Sequence, residues 1–462
     1  MNKFVSAVRQ TFLLEVPSYG NTIFYSFGFL ALTCLAVLTV TGVVMVFMGS
    51  AWWLGAHWGI FFRSIHLWAA QAFVLIIIIH ALAVFLTSGF KPPRRLTWML
   101  GAVVAFLALA EAEFGYDLRG DFSSQYRALQ AADFFNGAYL GKFVNTLDQA
   151  QAFGLHIIVI PLVMFALLFG HYLLVKTFGI AKPYRPEARY KMVAADHRKL
   201  FLRGGVLVAL IVALAAVFPS PLIMPTTIAD VAQDNSPLMA QTLTAEFTRT
   251  SDTATYFNSI EPYTYDVRRA YVEVPYAEYA SSTGTANALD AWRAAPPAAQ
   301  TAMETQASAF FQSASSTADL AAVVRNANPV ISAVGSLVLM AKSGLYEAAV
   351  NNENPTINPT YSLRFLADTG VLDKEATALG ITTDQWGMVR EEGKTIPPGA
   401  WWLTPLGVLD HTVLANDPNG DRDGAEILGI LALLIVFFPY LPYANRIPEK
   451  LHIAEWIWKR GQ

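Results

Sequence analysis

The chain has 462 residues, 54% of them hydrophobic and only 15% charged, with a formal net charge of -3 and a mean hydropathy of +0.38. An average soluble domain carries about 25% charged residues, so the composition argues for a multi-span membrane protein, and the near balance of charge argues against a nucleic-acid binder, which needs a basic field. The single cysteine, Cys34, excludes internal disulfides, four-cysteine zinc sites, ordinary iron–sulfur clusters and covalent CxxCH haem attachment.

Six apolar segments follow in order: Thr22 to Gly49, Phe62 to Thr87, Leu96 to Ala112, Leu155 to Val175, Phe201 to Phe218 and Ala425 to Pro442. Each approaches the length, about 17–25 residues, that carries a helix across a bilayer. The first lacks the short core and cleavage site of a signal peptide and is read as a span. Basic residues gather at Lys91, Arg94 and Arg95, in the stretch Lys176–Arg203, and in the tail at Arg446, Lys450, Lys459 and Arg460. The positive-inside rule puts these segments in the cytoplasm, and six spans then leave both termini there.

Between the fifth and sixth spans the composition changes sign. Residues 220–426 carry 11 Lys+Arg and 24 Asp+Glu, whereas the rest of the chain carries 21 and 11. An acidic, mainly α-helical soluble insertion on the outer face accounts for this. Within it Ala298–Ala309 and Ala318–Ala349 predict helices, the second broken near Pro329. Asn351–Thr360 and Thr395–Gly399 predict loops. The expected fold is an all-α membrane protein: a four-helix bundle over 1–200, a fifth transmembrane helix over 201–219, the insertion over 220–424, and a sixth transmembrane helix with cytoplasmic tail over 425–462.

Four of the eight histidines fall inside spans: His66 and His80 on the second, His156 and His171 on the fourth. Fourteen residues make close to four helical turns, about 21 Å of rise. Each pair therefore projects from nearly one face at two depths, and both helices run from outside to inside. The arrangement suits two bis-imidazole haems stacked across the bilayer; a lone buried histidine would instead be a hydrogen-bonded core residue. Gly28 and Gly42 on the first span, and Gly101 and Gly115 on the third, repeat the 14-residue interval. A helix without a side chain there lets a flat macrocycle approach, although small residues also serve plain helix packing.

These residues sit within stretches that resemble a known family: Ile23-Phe24-Tyr25, Leu32-Thr33-Cys34, Thr41-Gly42, Arg63-Ser64-Ile65-His66, the run Leu86 to Trp98 (LTSGFKPPRRLTW), Gly115-Tyr116, and His156 with Pro161. The chain resembles cytochrome b of quinol–cytochrome c reductases over about residues 20–185, most closely the version of oxygenic photosynthesis. The resemblance implies that His66 and His156 ligate an outer, low-potential haem b and that His80 and His171 ligate an inner, high-potential one. Arg63 would neutralise a propionate of the outer haem; the alternative is a cationic anchor at the membrane interface. Asp196, His197 and Lys176 fall where the family lines its inner quinone site, and a charged cytoplasmic loop is the alternative.

Departures from the family pattern alter these expectations. Ser26 replaces the cysteine that tethers an extra haem in the photosynthetic branch, so two non-covalent haems are expected. Cys34 reads as core packing. Leu118-Arg119-Gly120-Asp121-Phe122 stands where the family reads Leu-Pro-Trp-Asp-Gln, so the outer quinol pocket is altered. Gly399-Ala400-Trp401-Trp402 replaces Pro-Glu-Trp-Tyr, and Ala400 cannot accept a proton. Glu391, Glu392, Asp410 and His411 are nearby titratable candidates. Ala425–Tyr443 is similar to the family's sixth helix.

Asp417 to Asp423 alternates oxygen side chains as a Ca2+ loop does, but Arg422 and Leu428 occupy the loop's glycine and glutamate positions, which favours a turn that caps the last helix. The expected function is a diheme cytochrome b subunit in a quinol-oxidising bc-type respiratory complex, a redox subunit of a membrane quinol:electron-acceptor oxidoreductase. A Rieske iron–sulfur protein and a c-type cytochrome are the expected partners, with quinone as substrate. The alternatives are a haem b quinone-reactive anchor of another dehydrogenase or reductase, and a non-redox scaffold displaying the insertion.

Overall fold

The computed structural model describes residues 15–180, 192–256, 265–352, 361–382, 396–417 and 419–452. Glu391, Glu392, Lys459, Arg460 and most of the loop before Thr360 lie outside them. Among the described residues five helices of 18 residues or more are apolar enough to cross a membrane: α1 (Phe27–Met48), α2 (His57–Leu86), α3 (Arg95–Asp117), α5 (Gln149–Phe178) and α6 (His197–Val217). Between α3 and α5 lies α4 (Phe122–Gly137).

The sequence explains the helix limits. α1 carries no charge over its whole length and stops at Gly49, whose φ of 78° takes the chain out of the helix. Its threonine hydroxyls donate back to carbonyls one turn earlier, Thr33 to Phe29 and Thr39 to Leu35, which keeps each polar group satisfied in lipid. Asp148 caps α5 by accepting from the Ala150 and Gln151 amides, and Asp196 caps α6 by accepting from the Lys199 amide. At the far end of α5, Arg94 donates to the carbonyls of Phe178, Gly179 and Ile180, closing a helix terminus that favours a cation.

α1 packs along α2, α3 along α5, and α6 against α1 and α2. Cys34, Ala69, Phe73, Ala108, Met164, Ile211 and Ala215 form the bundle core. Large apolar side chains such as Phe47, Leu162, Phe169 and Val206 face outward, as helices in a bilayer require.

The last apolar segment forms a helix, Gly420–Val436, of 17 residues, about 25 Å at 1.5 Å per residue and at the short end of the lengths that cross a bilayer. It begins in the charged Asp421-Arg422-Asp423 and gives way to a tight turn at Phe438–Tyr440, where Pro439 stands. It packs on α3 and α4, and the Trp98 indole donates to its Ile435 carbonyl at 2.8 Å.

Every regular element of the insertion among its described residues is a helix, joined by loops and turns. Helices at Pro297–Phe311 and Pro329–Lys342 match the alanine-rich predictions. Pro329 opens the second at its first turn, capped by Asn328 accepting from the Val330 and Ile331 amides; proline is tolerated there because that N–H has no helical partner. Met239, Leu243, Phe247, Tyr271, Val334, Leu337 and Phe365 build its core. That same core takes in Phe122, Tyr126, Ala128 and Ala132 of α4 and Leu147 beyond it. The two parts are also stitched by hydrogen bonds from Phe122 N–H to the Ile223 carbonyl and between Gln125 and Thr226 in both directions. α4 therefore shares the insertion's core although it ends at Gly137, well before residue 220 where the composition changes sign.

Candidate functional site

The four membrane histidines meet the four glycines one to one. A Cβ added at Gly28 would lie 3.5 Å from His80 Cε1, at Gly42 3.4 Å from His66 Cε1, at Gly101 3.1 Å from His171 Cε1, and at Gly115 3.0 Å from His156 Cε1. α1 thus supplies the smooth surface for the histidines of α2, and α3 for those of α5. The sequence suggested clearance for a macrocycle; the structure puts the imidazole itself against each glycine. His66 and His156 approach with ring centres 6.2 Å apart and planes at 70°, which leaves room between them for one metal ion with bonds of about 2 Å on each side.

Hydrogen bonding fixes the protonation of three of these rings. His171 Nδ1 lies 3.0 Å from the Thr97 carbonyl, and His156 Nδ1 lies 3.1 Å from the Glu111 carbonyl. A carbonyl only accepts, so each Nδ1 carries the proton. His66 Nδ1 is 2.8 Å from Thr41 Oγ1, and that hydroxyl donates to the Val37 carbonyl, so it accepts from His66. The Nε2 lone pairs of all three rings are left for a metal, with tautomer and ring direction set by the partner of Nδ1. Thr97 and Glu111 each stand four residues before the glycine that receives the same imidazole. The close approach that glycine permits is what brings Nδ1 within reach of the carbonyl one turn earlier.

The unequal spacing of the two histidine pairs also has a structural basis. Leu155–Val159 forms a π turn, with the Ile160 amide bonded to the Leu155 carbonyl. A π turn holds one residue more than an α turn. The 15 residues from His156 to His171 therefore cover the rotation that 14 cover on α2. These residues fit a bis-imidazole haem at each level.

At the end that holds His80 and His171, a cavity of about 1620 Å3 opens between α1, α2, α3, α5 and α6. Both histidines line it with Gly28 and Gly101, and so do Lys176, Asp196 and His197. The structure therefore brings all three sequence-selected polar residues to one space. Asp196 also has a local role: its carboxylate meets the Lys199 ammonium at 2.9 Å, and the Lys199 amide and side chain hold it below the usual carboxylate range. Ser26 is buried and accepts from Arg203 at 2.6 Å.

At the His66 and His156 end the substituted loop is a structural corner. Arg119 is buried and paired with Asp121 at 2.8 Å, and it also donates to the Pro221 carbonyl. Asp121 caps α4 in a reciprocal box with Ser124. Arg63 is buried as well and donates to the Ser220 and Pro221 carbonyls at 2.8 and 3.3 Å, so it lies inside the protein. Ala400 is fully buried against Val74, Tyr116 and Trp402. Trp401 donates to Gln71 at 2.8 Å, and Gln71 donates to Tyr116 Oη and the Gly399 carbonyl. Asp410 and His411 end the short helix that follows.

Gln71, Thr41, Thr97 and Glu111 were not selected from the sequence. Thr41 and Thr97 stood within stretches that resemble the family without marking a role, and Glu111 stood out as an ionisable residue within a span. In the Asp417 segment, Asp417 accepts from the Asn419 amide and Asp423 pairs with Arg422. Among the described residues no three His, Cys, Asp or Glu side chains gather as a metal site would need.

Comparison with known proteins points to one family. The family model described as cytochrome b (N-terminal)/b6/petB matches residues 71–229. Cytochrome b6 of Euglena gracilis is 31% identical over 191 residues, covering 36% of this chain and 88% of the relative. A solved structure titled "Hyperthermophilic respiratory Complex III" aligns over 80% of this chain and 98% of its own, at 16% identity and a TM-score of 0.39. With apolar helices that can span a bilayer, a matching family model and a curated relative covered over most of its length, the chain belongs to the cytochrome b/b6 family, as an integral membrane, haem b-binding protein of electron transport.

Proposed function

We propose that the chain is a diheme subunit that carries electrons across the membrane in a quinol-oxidising complex. One observation carries the reading: the same arrangement, an imidazole laid against a glycine of the neighbouring helix, occurs twice at each of two levels. His66 and His156 hold one haem b, and His80 and His171 hold the other. Bound haem supplies one-electron iron chemistry. The chain's part is to hold three of the imidazoles in the tautomer that leaves Nε2 free and to aim them, through Thr41, Glu111 and Thr97, and to exclude water from the bundle. Arg63 supplies a buried cation beside the His66 level.

Quinone reacts at the His80 and His171 end. The cavity there exceeds the roughly 300–1,000 Å3 of a single ligand pocket, which supports a haem and a quinone head group side by side. Lys176, Asp196 and His197 offer the cation and the proton-exchanging groups. At the opposite end Ala400 offers no proton acceptor, so quinol oxidation there draws on other groups of that face. The basic stretch 176–203 supports a cytoplasmic location for the Lys176 end and both termini. It puts the insertion, residues 220–424, on the outer face, where its acidity would speed encounter with a basic redox partner. A Rieske protein and a c-type cytochrome are the partners this reading names.

A reduced-minus-oxidised spectrum of the purified protein tests it. Two b-type haems per chain are expected. His66→Ala and His156→Ala should each remove one, and His80→Ala and His171→Ala the other. Absence of b-type absorption sinks the function, and retention of both haems in all four variants sinks the ligand assignment.

A further inference from the structure

Three of the membrane histidines donate from Nδ1, and one of the three acceptor groups is unlike the others. His66 donates to a hydroxyl and His171 to a carbonyl. His156 meets the Glu111 carbonyl and also the Glu111 carboxylate, whose Oε1 lies 3.1 Å from Nδ1. Glu111 stands on α3 six residues short of its end, with its side chain 19% exposed. A carboxylate at such a place is costly and is carried for a purpose. Its neighbour Glu113 turns away and closes on Arg127 at 2.6 Å, so it does not share the contact with His156.

We infer that Glu111 is a positioning residue for His156 that lowers the reduction potential of the iron held at the His66 and His156 level, by sharing the Nδ1–H of that ligand between its backbone carbonyl and its carboxylate. The inference rests on the proposed ligation by His156. A hydrogen bond to an ionised acceptor is roughly twice as strong as one to a neutral acceptor, and it raises the basicity of the nitrogen on the metal. A more basic ligand favours the oxidised iron. In its ionised form the carboxylate acts in the same direction, because an arriving electron is repelled by its charge in a low-dielectric site. At the other level His171 has only a neutral carbonyl. The two levels are thereby driven apart in potential by one side chain.

The test is a potentiometric titration of both haems, with electron paramagnetic resonance of the oxidised protein, on the full chain in its membrane complex. Glu111→Gln keeps an oxygen that can accept from Nδ1 and removes the charge. It should retain two haems, shift the resonance of the haem at the His156 level, and raise its midpoint by at least the equivalent of a tenfold change in the oxidised-to-reduced ratio, about 59 mV for one electron. The haem at the His80 and His171 level should not move. Glu111→Asp, with a shorter reach, should shift the same midpoint upward by less, and it stands in for the first variant if Glu111→Gln fails to load haem. Unchanged midpoints and resonances in a loaded variant overturn the inference while leaving the ligation intact. Retention of both haems by His156→Ala overturns the ligation, and the inference with it.

Discussion

A glycine beside an imidazole is a small feature with a measurable consequence. A Cβ at Gly115 would sit 3.0 Å from His156, closer than a packed side chain tolerates without displacement. Gly115→Val should cost about 1–3 kcal/mol of overpacking at that level and reduce the haem-to-protein ratio from two towards one, as read by a haemochrome assay. Gly205, which meets nothing within 4 Å, should accept alanine without change. A second residue-scale consequence lies outside the membrane. Glu246 is fully buried, accepts from Ser251 at 2.8 Å, and is pushed well above the usual carboxylate range by burial and by the adjacent Asp368. A carboxyl that holds its proton better when folded contributes stability that is complete below its unfolded value of 4.5 and is lost as pH rises towards the folded value. The insertion should therefore melt at lower temperature at neutral than at acid pH. Glu246→Gln should flatten that profile and raise the neutral melting temperature, by about 2–4 °C for each kcal/mol recovered; a profile that keeps its slope would show that other groups set it. The histidines and glycines were legible because a helix repeats its faces at fixed intervals, and any residue type with that interval stands out. The oxygens that receive Nδ1 were not, since two of them are backbone carbonyls and carry no residue identity.

At the scale of elements, the π turn at Leu155–Val159 is the device that reconciles two unequal spacings. Deleting Ile158 should convert it to an α turn, keep His156 in register with His171, and preserve both haems. Deleting Leu167, in the regular part of α5, should rotate the two histidines apart by about 100° and lose one haem. Equal haem content in the two deletions would show that the turn does not set the register. The 15-residue interval was visible in the sequence, but nothing in a string of apolar residues marks which turn is wide. The corner formed by Arg119 and Asp121 shows the same limit. The sequence displayed it as a departure from a motif, whereas its role comes from partners at Pro221 and Ser124. Arg119→Ala leaves Asp121 buried without that cation and should cost about 3–5 kcal/mol, measured as a fall in thermal stability in detergent. Six spans were read from length and apolarity alone; five of them are long apolar helices, and the charged start and Pro439 limit the regular helix of the sixth segment to Gly420–Val436.

For the whole molecule, the sign change in charge located the insertion, but composition could not reveal that its core extends to α4. Phe122, Tyr126 and Ala132 are sealed by residues such as Ile228, Val231 and Leu243. Residues 220–424 produced alone should expose those faces and aggregate, whereas the same segment joined by a linker to residues 118–148 should stay monodisperse on size exclusion. Identical behaviour of the two would show that α4 is dispensable. The shared core also has a consequence for biosynthesis. The apolar face of α4 leaves the ribosome about a hundred residues ahead of the segment that covers it, a delay of roughly 5–20 s at 5–20 residues per second. During that interval α5 and α6 must be made and inserted. The nascent chain thus crosses the bilayer twice with a sticky helix waiting on one side, and a chaperone that shields α4 would find its window of action there.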